Sequence, residues 1–244
     1  VNTPPAPPQN HPEIQDQLVL VTGGSRGIGL AISSALAAAG ARVLATTRSA
    51  SRLPDALPAA GQVTTVPLEV QSETSVNQLF SWIDSQQTPL RALINNAGIG
   101  VFKPLTQITS KEFETVLQTN LTGSFLCMRE AAKRMVPQKR GRIIQLGSIS
   151  DHLLLPENSA YAASKFGVRA LVGILNEELK HQGVFASLVS PGATLTEIWQ
   201  GREGFNPDDM IPPEEVARTV VDILSRPAHV RIDEVRILPS RGVL

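Results

Sequence analysis

The stretch that most limits how this chain can fold is residues 18–40. An apolar run, Leu18-Val19-Leu20-Val21, leads into Thr22-Gly23-Gly24-Ser25-Arg26-Gly27-Ile28-Gly29. Four successive apolar residues fit a parallel strand buried on both faces. Beyond the glycines, Leu30, Ile32, Ala35, Leu36 and Ala39 recur at helical spacing, and Gly40 closes the pattern. Strand, glycine turn and helix in that order open a mononucleotide-binding unit. Gly23 permits the tight turn, Gly27 lets backbone approach a pyrophosphate, and Gly29 allows close packing of helix on strand. The helix start then presents free N–H groups to an anion.

The same alternation continues to the end of the chain. Apolar, β-branched runs at 42–47, 63–66, 90–94, 142–146, 184–189 and 230–238 read as strands. Helical patterns lie between them at 74–85, 110–135, from Tyr161 onward and from Pro212 onward. This order predicts an α/β, Rossmann-like, doubly wound parallel sheet of about seven strands, with residues 18–244 as one domain. Within 110–135, Asn120 followed by Thr122-Gly123 is poor for helix propagation and predicts a local kink. Residues 1–17 hold Pro4, Pro5, Pro7, Pro8 and Pro12, lack the apolar core of a signal peptide, and read as a disordered or extended lead-in.

Composition narrows the function classes. Lys plus Arg and Asp plus Glu both total 22, so no basic field attracts nucleic acid or anionic lipid. No run of 18 apolar residues occurs, so no membrane span is expected. The lone Cys127 sits in an apolar run and reads as a buried hydrophobe in a reducing, cytoplasmic setting. The four histidines are scattered without metal-ligand spacing, so no metal is expected.

The chemistry centres on Tyr161-Ala162-Ala163-Ser164-Lys165, with Ser148 upstream in Gly147-Ser148-Ile149-Ser150. Residues four apart share one helix face, so the Tyr161 hydroxyl and the Lys165 ammonium look the same way. A free tyrosine titrates near ~10. A neighbouring cation favours the phenolate, which makes a general acid/base. After the second strand, where many NAD sites place a carboxylate for the ribose 2′-hydroxyl, this chain has Thr47 and then Arg48. Arg48 with Arg26 suits a 2′-phosphate, which predicts NADPH over NADH. Asn95-Asn96-Ala97-Gly98 ends the fourth strand, where such sheets bind ligands. Leu153-Leu154-Leu155-Pro156 reads as one wall of a substrate pocket, with Trp199 and Phe205 as further apolar contacts. Apolar residues on two sides of the helix after Tyr161 predict burial on two sides, and hence a subunit interface.

Taken together these motifs resemble the classical short-chain dehydrogenase/reductase family from about Leu18 to Thr196. Thr22-Gly23-x-x-x-Gly27-x-Gly29 is similar to its cofactor motif, Asn95-Asn96-Ala97-Gly98 to its strand-four signature, and Asn120, Ser148, Tyr161 and Lys165 to its catalytic tetrad. The resemblance implies that Tyr161 exchanges a proton with the carbonyl oxygen, Ser148 hydrogen-bonds that oxygen, and Lys165 acts on Tyr161 and the nicotinamide ribose. It implies that the Asn120 carbonyl holds a relay water. Implied cofactor contacts are Gly23, Ser25, Arg26, Gly27, Ile28, Gly29, Arg48, Glu69, Val70, Asn96, Ala97, Gly98, Tyr161, Lys165, Pro191, Gly192, Thr194 and Thr196. Glu69 stands where many members carry Asp, and the C-terminal stretch Arg236 to Gly242 replaces the family's Asp-Gly-Gly type ending. The expected activity is NADPH-dependent interconversion of a small carbonyl and its alcohol, in a homodimer or homotetramer. The alternatives are a 3-oxoacyl-[acyl-carrier-protein] reductase and an NADP(H)-binding regulator of the same fold.

Overall fold

A computed structural model describes residues 11–197 and 206–243. Seven strands form one sheet in the order β3-β2-β1-β4-β5-β6-β7, every neighbouring pair parallel. They are β1 Leu18–Val21, β2 Arg42–Thr47, β3 Val63–Pro67, β4 Leu90–Asn95, β5 Gly141–Leu146, β6 Val184–Pro191 and β7 Glu234–Ile237. The helices are α1 Gly27–Ala38, α2 Glu73–Ser85, α3 Ser110–Leu117, α4 Gly123–Met135, α5 Ser159–Leu179 and α6 Pro213–Leu224. The last strand is shorter than the sequence pattern suggests, because only 234–237 pair with β6.

Alternation along each strand builds two cores. Leu18 and Leu20 of β1 join Phe80 of α2, Cys127 of α4 and Val172 of α5 on one face. Val19 and Val21 join Ile32 and Leu36 of α1 and Val216 and Val220 of α6 on the other. Both faces of a parallel sheet are thereby covered, as burial of its backbone and side chains requires. The strand order reverses between β1 and β4, so their C-terminal ends diverge into the crevice where doubly wound sheets bind ligands.

Two expectations change. The lead-in does not run to Gln17: residues 11–17 form turns, Ile14 is buried in the α1/α6 core, and Arg42 pairs with Asp16 at 2.7 Å. Ile14 is a single apolar residue among prolines and polar residues, too weak a pattern to read. Leu30 of α1 is half exposed rather than buried. The kink at Asn120 is a π-helical turn, Gln118–Thr122, linking α3 to α4.

Candidate active site

The glycine turn is held by strand ends on either side. Thr22 Oγ1 accepts the backbone N–H groups of Asn96 and Ala97, each at 3.0 Å. The Asn96 amide donates back to Thr22 O at 3.1 Å and Gly23 O at 3.0 Å. From β2, Thr46 Oγ1 accepts the Gly23 N–H at 3.0 Å. Gly23 and Gly27 have φ of 62° and 50°, a region that favours glycine. A Cβ on Gly29 would lie 2.1 Å from Gly23 O, so only glycine lets α1 sit this close to the turn. The α1 N-terminus has no capping side chain and no acid in its first turn. Its N–H groups and uncompensated dipole therefore suit a pyrophosphate. Thr196 and Glu197 lie against Gly27, and a dinucleotide there would meet the Glu197 carboxylate.

Around this turn the cofactor candidates fall at strand C-termini. Arg26 and Arg48 are exposed, and neither has an ion-pair partner among the described residues. Ser25 is exposed and Ile28 packs against the α1/α6 core. Glu69 is exposed beyond β3, its N–H donating to Ser75 Oγ. Val70 packs against Gly123, where a Cβ would lie 2.9 Å from it. Gly98 faces the Asn120 side chain. Pro191 ends β6, Gly192 donates to Ile237 O, and Thr194 Oγ1 and Thr196 Oγ1 bond back along the same segment. Trp199 and Phe205 lie outside the described residues.

Ser148 follows the end of β5, where Lys165 also reaches, and Tyr161 stands one helical turn before Lys165. Ser148 caps a short 3₁₀ turn, Ile149–Asp151: its Oγ accepts the Ser150 N–H at 3.2 Å, while its own N–H donates to Asp151 Oδ2 at 2.9 Å. That use of the oxygen leaves the Ser148 hydroxyl proton free to donate. Lys165 is buried in α5 and its Nζ donates to Leu146 O, two residues before Ser148, at 2.9 Å. The same Nζ lies 5.4 Å from the centroid of the Tyr161 ring, one helical turn away. Phe102 packs against the Tyr161 ring, with centroids 5.5 Å apart.

Asn120 occupies the π turn with its side chain fully engaged. Its Oδ1 accepts the Ile99 N–H at 2.9 Å, and its Nδ2 donates to Ile99 O at 2.9 Å and Ser164 Oγ at 3.0 Å. Its carbonyl accepts the Ser124 hydroxyl at 2.7 Å. Asn120 thus joins the loop after β4 to the helix that carries Tyr161 and Lys165.

Several site residues carry no motif of their own. Asp151 is fully buried and accepts Ser148 N–H, Ser190 Oγ–H at 2.7 Å and a close contact from His152. His152 in turn reaches Glu234 of β7. Asn158, just before α5, donates to Ser150 Oγ at 2.7 Å. A Cβ on Gly147 would lie 2.0 Å from Asp151 Oδ2, so the carboxylate fills the space that glycine leaves. The Ser148-x-x-Asp151 spacing of a capping box was the available signal. Cys127 is buried in the core between the sheet and α4, and burial pushes its thiol up to about 12, which removes it as a nucleophile. Among the described residues no cluster could hold a metal and no helix is long and apolar enough to cross a membrane.

The strand–glycine-turn–helix cradle and the segments that carry Ser148, Tyr161 and Lys165 all follow strand C-termini, the ligand-binding edge of a doubly wound sheet. The family model for short chain dehydrogenase matches residues 17–205, and the chain belongs to that family. It is 35% identical over 226 residues to the 3-oxoacyl-[acyl-carrier-protein] reductase MabA of Mycobacterium tuberculosis, covering 89% of each chain. It is 34% identical over 227 residues to a 3-oxoacyl-[acyl-carrier-protein] reductase of Synechocystis, covering 88% of this chain and 92% of that protein. A metagenomic short-chain oxidoreductase solved in complex with NADP superposes with a TM-score of 0.78 at 27% identity, covering 93% and 99% of the two chains. The chain is a short-chain dehydrogenase/reductase oxidoreductase acting on a CH–OH/C=O group, and the family's cofactor is a nicotinamide dinucleotide.

Proposed function

We propose that the chain is an NADPH-dependent carbonyl reductase, or alcohol dehydrogenase in reverse, with Tyr161 as general acid/base. The observation that carries this reading is the buried Lys165 ammonium, anchored on Leu146 O and facing the Tyr161 ring, beside a Ser148 hydroxyl free to donate. In reduction, Tyr161 gives its hydroxyl proton to the substrate carbonyl oxygen. Ser148 donates to the same oxygen as charge develops there. Lys165 places a positive charge beside the ring that is losing a proton. Asn120 fixes the approach of α5 to the strand ends. Bound NADPH would supply the hydride, with the α1 N-terminus and the glycine turn on its pyrophosphate and Arg26 and Arg48 on its 2′-phosphate. Leu153 and Leu154, both exposed beside the Ser148 turn, line the substrate side. Phe125, Phe166 and Ile174 favour a homo-oligomer, and the unpaired Cys127 fits a reducing cytoplasm.

A second reading, 3-oxoacyl-[acyl-carrier-protein] reductase, is favoured by the names of the relatives above 30% identity. A screen of ketones, aldehydes and 3-oxoacyl thioesters with NADPH separates the two. Tyr161→Phe removes only the hydroxyl. Turnover should fall by ~10²–10⁴ with NADPH affinity little changed. Unchanged turnover by Tyr161→Phe with a substrate the parent reduces defeats the mechanism and leaves a packed tyrosine.

A further inference from the structure

At the sheet edge opposite the catalytic site, the starts of β4, β5 and β6 surround a hollow of about 160 Å³. That is roughly ten times the ~10–15 Å³ one water needs. Arg91, Lys139, Arg140 and Arg142 line it, together with Phe185 and Ala228. The sheet itself brings Arg91 there. Leu18 pairs with Leu90 but Val19 pairs with Ala92, so Arg91 is an extra residue at a bulge in β4.

The charges in this cluster do not balance. Glu13 is its one carboxylate among the described residues, and it accepts from Arg140 at 2.9 Å and Arg91 at 3.4 Å. Arg142 is occupied structurally, donating to the carbonyls of Pro227 at 2.9 Å and Val230 at 2.8 Å and lying over the Phe185 ring. Lys139 is exposed with no partner among the described residues. Arg91 is only 7% exposed, and its Nε is buried with no hydrogen-bond partner. Three guanidinium groups and an ammonium around one carboxylate leave an excess of positive charge that a bound anion would offset. Residues 1–10 contain no Asp or Glu to do so. Burial and the neighbouring Arg140 and Arg142 together lower the Arg91 guanidinium to about 10, which agrees with an excess of positive charge.

We propose that this hollow is a binding site for a phosphate group, free or carried by a small molecule, held by Arg91, Lys139 and Arg140. Its geometry is that of planar guanidinium donors with an added ammonium, which suits a doubly charged oxyanion. The site is separate from the cofactor cradle, because parallel strands put their two ends at opposite edges of the sheet.

The test is calorimetric titration of the full chain with inorganic phosphate, pyrophosphate and glycerol 3-phosphate in low-chloride buffer. It is run with saturating NADPH, and again on the Arg26→Gln/Arg48→Gln variant without cofactor, so that failure of the cofactor reading leaves this test intact. With NADPH filling the cradle one anion should bind per chain, and in the cofactor-free variant the same site is the one that Lys139→Gln/Arg140→Gln weakens. Tighter binding of glycerol 3-phosphate than of phosphate assigns a phosphorylated small molecule; the reverse order assigns free phosphate. Lys139→Gln/Arg140→Gln, at two exposed positions, should weaken binding by roughly tenfold or more. Glu13→Gln removes the competing carboxylate and should tighten binding, a sign that a merely structural cluster would not give. Absence of binding, displacement by NADPH, or equal affinity in the Lys139→Gln/Arg140→Gln variant would overturn the proposal.

Discussion

Ser148 and Arg48 show how differently single residues are committed. Ser148 is held from behind by Asp151, whose carboxylate also takes the Ser190 hydroxyl and a contact from His152. Asp151→Asn keeps the size but turns half of the acceptor into a donor facing other donors. It should cost about 1–3 kcal/mol in urea unfolding. By loosening the Ser148 turn it should also lower kcat by roughly 10- to 100-fold. A variant of parental activity would show that Asp151 only packs. Arg48 makes no such commitments: it is exposed at the end of β2 without an ion-pair partner among the described residues. Its replacement should leave stability alone. Losing one charge-assisted contact costs ~1.5–3 kcal/mol, so Arg48→Ala should cut the preference for NADPH over NADH by about tenfold or more. Equal affinity of the parent for both cofactors by fluorescence titration would remove this role.

At the scale of elements, α4 is fastened to α2 by charge on its outer side. Glu130 is buried and accepts from Lys133 at 2.8 Å, Arg134 at 2.9 Å and Arg129 at 3.1 Å. Arg134 also forks onto Asp84 of α2 and lies over the Phe80 ring. Burial pushes the Glu130 carboxyl up, but the hydrogen bonds from Lys133, Arg134 and Arg129 outweigh it and hold it at about 2. A carboxyl held below its unfolded value of ~4.3 stabilises fully above that value. It loses the contribution as pH falls towards its folded value. Glu130→Gln should therefore cost about 1 kcal/mol at pH 7. The difference from the parent should vanish between about pH 5 and pH 2. Chemical unfolding at a series of pH values reads this directly, and a gap that stays constant into acid would refute it.

Across the whole molecule, α4 and α5 cover one sheet face yet keep apolar groups outside. Phe125 is 42% exposed, Phe166 38% and Ile174 54%. Gly173, between the last two, has nothing within 4 Å of where a Cβ would stand. Large apolar groups left exposed on two helices that cover the same sheet face point to an association surface. The chain should sediment as at least a dimer, and Phe166→Asp/Ile174→Asp should shift it to monomer without unfolding it. A parent that is monomeric at micromolar concentration would contradict this reading.

By itself the sequence determined the sheet, because period-two and period-3.6 patterns are local and the strand–glycine–helix order leaves few topologies. It also placed Ser148, Tyr161 and Lys165 at strand and helix ends, since their spacing is written along the chain. The tertiary structure decided what depends on contacts between distant residues. Asp16 and Ile14 pack only once Arg42 and α6 are in place. Asp151 becomes a buried anchor only when Ser190 and Gly147 surround it. The net charge of zero concealed the basic hollow, because Arg91, Arg140 and Arg142 come together only when β4 and β5 pair. Charge balance is a property of the whole chain, whereas an electrostatic site is a property of the few ångströms around it, which only folding arranges.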